Sequence, residues 1–266
     1  MKRCFLILSI VLAIGNVVSG QILHTEDFNL ILDTTKTIKG NLIPSVRYRN
    51  VKEKFIEIEN TADISICFWR NALTIANKLE YARFGNQNIM SGGFIYVEYR
   101  RLTEKRNLVI EPYIQIQWQA IRGLDRKYAG GANLRWKIIH KPDIGFFAGI
   151  GTFYEFERWT YSGTSDSTLI PPDPEPIEVS KIRGSSYLSF KKNFSDLFSL
   201  DLSVYFQPAF NKPFDQYRMA VSSQLIYNIN EHIGFSILYQ NIYDPVPQVP
   251  IDKLFHDISL GLTLSF

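Results

Sequence analysis

Cysteine is almost missing. Cys4 and Cys67 are the two thiols in 266 residues. If a leader carrying Cys4 is removed, Cys67 has nothing to pair with, so no internal disulfide frame is available. Histidine is nearly as scarce: His24, His140, His232 and His256 lie far apart, with no Cys/His spacing of the kind zinc requires. Charge of one sign is also lacking. Lys and Arg total 29 against 26 Asp and Glu, a formal net charge of +3. Lys2 and Arg3 supply two of those charges, which leaves about +1 beyond them. No broad basic field exists, which argues against nucleic acid as a partner. Long apolar runs are absent except at the start, where Phe5 to Ile14 is nearly all apolar. That run falls short of the roughly 20 residues a spanning helix needs.

The early run instead has the build of a secretory signal peptide. Lys2 and Arg3 precede it, and the small residues Ser19 and Gly20 offer a cleavage point after Gly20. Cys4 precedes the apolar run, so it is not a lipid-attachment cysteine. Residues 21–37 alternate only in part and are expected to be a periplasmic lead-in or a plug in the lumen.

What the chain does have is aromatics and alternation. There are 19 Phe, 14 Tyr and 4 Trp. At the C-terminal end, Ile258, Leu260, Leu262, Leu264 and Phe266 alternate with Asp257, Ser259, Gly261, Thr263 and Ser265. Strict period two marks a strand with a different solvent on each face. Eleven more such segments precede it: 38–49, 55–68, 73–84, 89–101, 108–119, 127–139, 144–158, 178–191, 198–207, 216–228 and 232–240. In the clearest, Leu108, Ile110, Ile114, Ile116 and Trp118 oppose Glu111, Gln115, Gln117 and Gln119.

The predicted fold is therefore all-β: a transmembrane antiparallel up-and-down barrel of about twelve strands over residues 38–266, with the lipid bilayer as its partner. An even count puts both termini at one end. The long Pro-rich connections after the seventh and eleventh strands then share the other end, as exposed irregular chain should. Tyr81, Trp118, Tyr154, Phe206 and Tyr239 are expected to form one aromatic girdle. Phe68, Tyr99, Trp136, Phe190, Tyr227 and Phe266 are expected to form the other. Pro44 and Pro112 fall inside the first and fifth strands, where each removes a ladder donor, so a bulge, or a strand boundary other than the one drawn here, is expected at each.

The residues opposite the apolar ones line the lumen. The positive candidates are Arg47, Arg49, Lys78, Arg100, Arg135, Lys137, Lys181, Arg183 and Arg218. The negative ones are Glu57, Glu59, Asp63, Glu80, Glu98, Glu111, Glu155, Glu157, Asp201 and Asp257. Their signs are nearly balanced. A pore selective for one ion sign uses a single-sign ring, so a mixed set reads first as bracing of the lumen. A narrow solute pathway comes second, and a catalytic or metal role last. Asp166, Asp173 and Glu175 make a solvated acidic loop before they make a calcium site. No catalytic residue, cofactor or metal ligand is assigned.

Two stretches carry resemblances. The last strand is similar to the C-terminal sorting signal of bacterial outer-membrane barrels, with Phe266 last, which implies recognition by the outer-membrane insertion machinery. The run Arg122-Gly123-Leu124, then Gly130-Gly131-Ala132-Asn133-Leu134-Arg135, then Gly149-Ile150-Gly151-Thr152-Phe153-Tyr154-Glu155-Phe156-Glu157-Arg158-Trp159 resembles a family of bacterial outer-membrane barrels described as salt-induced and of unknown function. That likeness implies a place, the bacterial outer membrane, and a fold, but no reaction. The expected function is a structural or stress-response envelope protein with a narrow passive pathway. Two alternatives stay open. One is an outer-membrane lipid hydrolase, which the chain resembles in strand number and not in any Ser-His-acid set. The other is a soluble secreted ligand-binding barrel.

Overall fold

The computed structural model describes residues 38–50, 54–101, 107–141, 143–230 and 232–265. The signal peptide over 1–20, the lead-in over 21–37 and the terminal Phe266 lie outside the described residues.

Twelve strands make up the described chain. They are β1 (Ile38–Asn50), β2 (Lys54–Phe68), β3 (Asn71–Phe84), β4 (Gln87–Arg101), β5 (Leu108–Gln119), β6 (Leu124–His140), β7 (Ile144–Trp159), β8 (Ile177–Ser195), β9 (Phe198–Pro208), β10 (Tyr217–Asn228), β11 (Ile233–Tyr243) and β12 (Leu254–Ser265). Each pairs antiparallel with the next, and β12 returns to β1, so the sheet closes on itself. No helix among the described residues is long and apolar enough to cross a membrane; the crossing elements are strands.

Alternation decides which side each residue takes. Ile110, Ile114, Ile116, Ile150, Tyr154, Ile182 and Leu188 stand exposed on the outer wall, while Glu111, Gln115, Gln117, Glu155, Arg183 and Ser189 are buried inside. This inverts a water-soluble protein, in which large apolar side chains go inward. A greasy exterior around a polar, closed ladder is a membrane-spanning barrel. The aromatics of both expected girdles take the outward face, Phe266 aside; Phe68, Tyr99, Trp118, Phe206 and Tyr227 stand within two residues of a strand end, whereas Trp136, Tyr154, Phe190 and Tyr239 stand four or five residues in.

Both long connections, residues 160–176 and 244–253, leave the same rim, here termed the loop rim. The opposite turn rim carries the short links at residues 69–70, 141–143 and 196–197. Neither a bulge nor a displaced boundary is seen at Pro44 or Pro112, which both lie within their strands. Pro44 pairs with Asn60, and Pro112 with Ala132, in unbroken register. Pairing of β5 with β4 stops at Tyr113, one residue short of Pro112. Pairing of β1 with β12 covers Asn41 and Leu42 and stops short of Pro44. Each proline thus sits where one neighbouring ladder has ended, so its missing N–H costs no bond on that side. The register shifts lie elsewhere, at Ala82/Arg83, Gln117/Gln119, Leu124/Arg126, Lys137/Ile139 and Asn193/Ser195.

The β1–β12 seam is the shortest ladder, with Asn41 opposite Ser265 and Leu42 opposite Leu264 among the described residues. Opposed antiparallel residues have Cα atoms about 4.5–5.5 Å apart, which is within reach of a disulfide. In a background with Cys4 and Cys67 replaced by serine, the pair Leu42→Cys and Leu264→Cys should therefore oxidise to an intramolecular bridge, visible as a band on denaturing gels that shifts on reduction. The pair Leu42→Cys and Ile258→Cys should not. Equal cross-linking of the two pairs would contradict the closed register.

Candidate functional site

The lumen is filled unevenly. On the wall formed by β4 to β8, joined at the loop rim by Arg218 from β10, inward side chains are large and stack in layers from rim to rim. Under the loop rim, Leu124, Trp159 and Val249 form a small apolar cap. Beneath it lies an ion-pair cluster built on Arg218, which is fully buried. Its guanidinium donates to Glu157 Oε1 and Oε2 at 2.7 and 2.9 Å, to Glu155 Oε2 at 3.1 Å and, through Nε, to Asp244 Oδ2 at 2.9 Å. Lys127 Nζ bridges Glu155 and Glu157 at 2.9 and 3.1 Å, and Arg183 Nε donates to Glu155. Trp159 Nε1 donates to Glu157 Oε2 at 3.0 Å. Three carboxylates thus meet three cations. Such a group is stable in a low dielectric only because nearly every lone pair is taken.

A layer of rings follows: Phe94, Tyr96, Tyr113 and Phe153, with Ala76 and Ala129 between them. Below it a second cluster closes the turn-rim half. Arg100 contacts Glu98 and Glu111, both at 2.7 Å, and Arg135 Nη1 lies 3.6 Å from Glu111. Tyr96 donates to Glu98 at 2.6 Å and Tyr187 to Glu111 at 2.7 Å. The Arg135 guanidinium stacks over Phe147 at 3.9 Å. Lys137, also inward, marks the β6–β7 register shift.

The side made by β1 to β3 and β9 to β12 is different. Its inward side chains leave a cavity of about 170 Å³, lined by acidic, small polar and a few apolar residues. Five carboxylates line it, Glu59, Asp63, Glu80, Asp201 and Asp257, against one ammonium, Lys78. Lys78 bonds Glu80 and lies 3.5 Å from Asp257. Lys191 takes Asp201 at 2.7 Å. Nearer the loop rim Arg47 pairs with Glu57 at 2.7 Å, the arginine side chain remaining mostly exposed.

The inward charges are therefore not interleaved around the barrel as their order in the chain implies. They divide into a neutralised wall and an acidic wall. The division arises because partners such as Arg218 and Glu155, 63 residues apart, meet only across the closed lumen. Sequence reading passed over Lys127, Lys191, Asp244 and Arg122. Lys127 and Lys191 have the strand parity of Arg135 and Arg183, so strict counting along β6 and β8 finds them. Asp244 and Arg122 lie in connections, where parity says nothing.

Arg122 ends a single 3-10 turn, Ala120–Arg122, in the β5–β6 connection, with Gly123 following at φ 78°. It is 8% exposed, its Nη1 and Nη2 have no hydrogen-bond partner among the described residues, and Phe255 lies beneath it at 5.1 Å. Burial, against the pull of Asp244, and with the push of Arg218, lowers its pKa to about 10. Elsewhere outside the strands, the Lys192 ammonium hydrogen-bonded to Asp143 holds that carboxyl below its usual range. Bonds from Thr168 do the same for Asp166.

His256 lies on the outward face of β12, where its Nδ1 meets Tyr239 Oη at 3.0 Å and Asn241 Nδ2 at 2.9 Å. Cys67, inward on β2, is half-buried. Among the described residues, no group of three or more His, Cys, Asp and Glu is placed to hold a metal ion.

The family model described as "Protein of unknown function, DUF481" matches residues 69–266. The chain belongs to that family. The match runs from the β2–β3 turn to the end of the chain and so takes in ten of the twelve strands, β3 to β12. No curated protein matches the chain. Among solved structures, it is similar to the NanC porin, at 14% identity over 86% of this chain and 98% of that one, TM-score 0.45. It is also similar to the translocator domain of the autotransporter NalP from Neisseria meningitidis, at 10% identity over 91% and 92%, TM-score 0.48. A third is the Pseudomonas putida toluene transporter TodX, at 8% identity over 94% and 86%, TM-score 0.39. What those proteins carry or translocate is a property of theirs.

Two arginines of this DUF481 barrel make opposite predictions. Arg218→Met strands Glu155, Glu157 and Asp244 in a desolvated site and should cost about 3–5 kcal/mol of stability. Arg122→Met removes a buried cation with no hydrogen-bonded partner and should be neutral or stabilising. Urea unfolding of the barrel in detergent micelles measures both. Equal losses would contradict this division of roles.

Proposed function

We propose that this protein is an outer-membrane barrel of a Gram-negative bacterium, with its loop rim outward, and that it is a braced structural element carrying a narrow pathway that prefers cations. Residues 1–20 serve as the signal peptide, and the strand ending at Phe266 is read by the insertion machinery. The observation that carries the pathway reading is the division of lumen charge. The Arg218 and Arg100 clusters fill one wall with compensated charge, while the remaining space is lined by five carboxylates and one lysine. A passage bounded by an excess of one sign admits the opposite sign more readily. The bracing half suits an envelope protein under salt stress, because buried ion pairs are screened far less than exposed ones.

The lipid-hydrolase alternative retains one observation, the His256–Tyr239–Asn241 group on the outer wall. Hydrolysis through a covalent intermediate requires an activated nucleophile beside the base, and the neighbours of His256 are a phenol and an amide. We therefore favour a non-enzymatic role.

Purified protein in a planar bilayer under a potassium chloride gradient should give small unitary steps with a reversal potential on the cation side. Combining Glu80→Gln with Asp257→Asn should move that potential toward zero. Anion preference, or silence together with hydrolysis of added phospholipid, would overturn the proposal.

A further inference from the structure

Two groups in the cavity lack what their burial demands. Asp63 is 8% exposed. Its one hydrogen bond comes from the Asn41 side-chain amide at 3.4 Å, and among the described residues no lysine or arginine lies within ion-pair distance of it. Thr263 is 4% exposed, and its Oγ1 has no hydrogen-bond partner among the described residues. Both line the cavity. They also belong to one patch. Asn41 on β1 is opposite Asp63 on β2 and opposite Ser265 on β12, so Thr263 stands one inward position along the neighbouring strand.

A buried carboxylate without a cation and a buried hydroxyl without a partner are each costly. Both accept hydrogen bonds. A cation with several N–H donors supplies what both lack. Nearer the loop rim, Lys78 is, among the described residues, the one cation in ion-pair contact with Glu80 and Asp257, and Glu59 lines the same space, so a second positive charge is also under-supplied. Between the two polar ends stand apolar groups, Ile43, Phe94 and Leu238. Such walls favour a hydrocarbon body over a hydrated metal ion. At about 170 Å³, the space lies below the roughly 300 Å³ from which drug-sized pockets begin, which suits a small solute.

From this we infer that the cavity binds a small aliphatic ammonium ion, and a short diamine best. One ammonium sits against Asp63 and Thr263, and the other near Glu59 and Glu80. The inference rests on the reading of this cavity as part of the pathway and names the class of solute that dwells in it.

The test is a calorimetric titration of the folded barrel in detergent at low ionic strength. The probe is 1,4-diaminobutane, with 1,4-butanediol as the uncharged control of matched shape and potassium chloride as the inorganic-cation control. The diamine should bind and the diol should not. Asp63→Asn should weaken binding roughly ten-fold or more, the loss expected of a charged hydrogen bond. Thr263→Val should weaken it several-fold, and each variant should keep the heat-dependent gel shift of a folded barrel. Diol or potassium binding as tightly as the diamine would overturn the inference, as would unchanged affinity in folded Asp63→Asn. If Asp63→Asn does not fold, Thr263→Val and the diol comparison decide. Planar-bilayer current separates the two readings. Diamine binding without any current leaves the site standing and removes the pathway, whereas cation-preferring current without diamine binding removes the site alone.

Discussion

Hydrocarbon offers no hydrogen-bond partner to a peptide group, and from that constraint most of this structure follows. Every strand must be flanked on both edges, so the sheet has to close, with β12 returning to β1. Closure in turn fixes two separate environments for side chains. The outer face meets lipid and takes Ile, Leu, Val and aromatic residues, whereas the inner face takes whatever can satisfy polar groups among themselves. The roles of surface and core in a soluble protein are exchanged. The largest buried side chains include Arg183, Arg218, Lys127, Glu111, Glu155 and Glu157.

Charges confined inside a closed wall cannot turn to bulk water, so each needs a partner at short range. The loop-rim cluster meets this requirement through a hub: Arg218 serves Glu155, Glu157 and Asp244 at once. Fork-shaped guanidinium suits this better than ammonium, because its donors are fixed in a plane and can satisfy two carboxylates without rotating. The same bond to Asp244 ties the long β11–β12 connection to the lumen, so the chain that caps the barrel and the charges that fill it form one unit. Val249, from that connection, packs with Leu124 and Trp159 above the cluster.

The fold was legible in the sequence because period two is a local property. Leu108 to Gln119 shows it without reference to any other strand, and the expected segments agree with the observed ones to within a few residues. The site was legible only in part. Parity tells that Glu155, Arg183 and Arg218 point inward. It does not tell where around the circumference each stands, nor what faces it across the lumen. That angular information depends on closure and register, which are non-local. Hence a set of charges that looks mixed along the chain is sorted in space. Thr263 is the sharpest case: its neighbours in sequence mark it as an ordinary inward residue, and only the packing against β1 reveals a hydroxyl without a partner.

Why the open space lies behind the β1–β12 seam follows from residue size. A twelve-stranded barrel encloses more room than short side chains can fill. On β4 to β8 the inward positions carry Tyr96, Tyr113, Phe153 and Tyr187 as well as the arginines, and these reach across the lumen. On β1 and β12 they carry Ser45, Ser259, Gly261 and Thr263. The seam is tight at one of these points, since a Cβ on Gly261 would come within 2.9 Å of Ile43 Cγ2 and push that side chain aside. Close approach at Gly261 favours a small residue there, small residues leave volume, and the volume is bounded by the carboxylates of β2, β3, β9 and β12. The polar cavity is in this sense a consequence of how the barrel shuts.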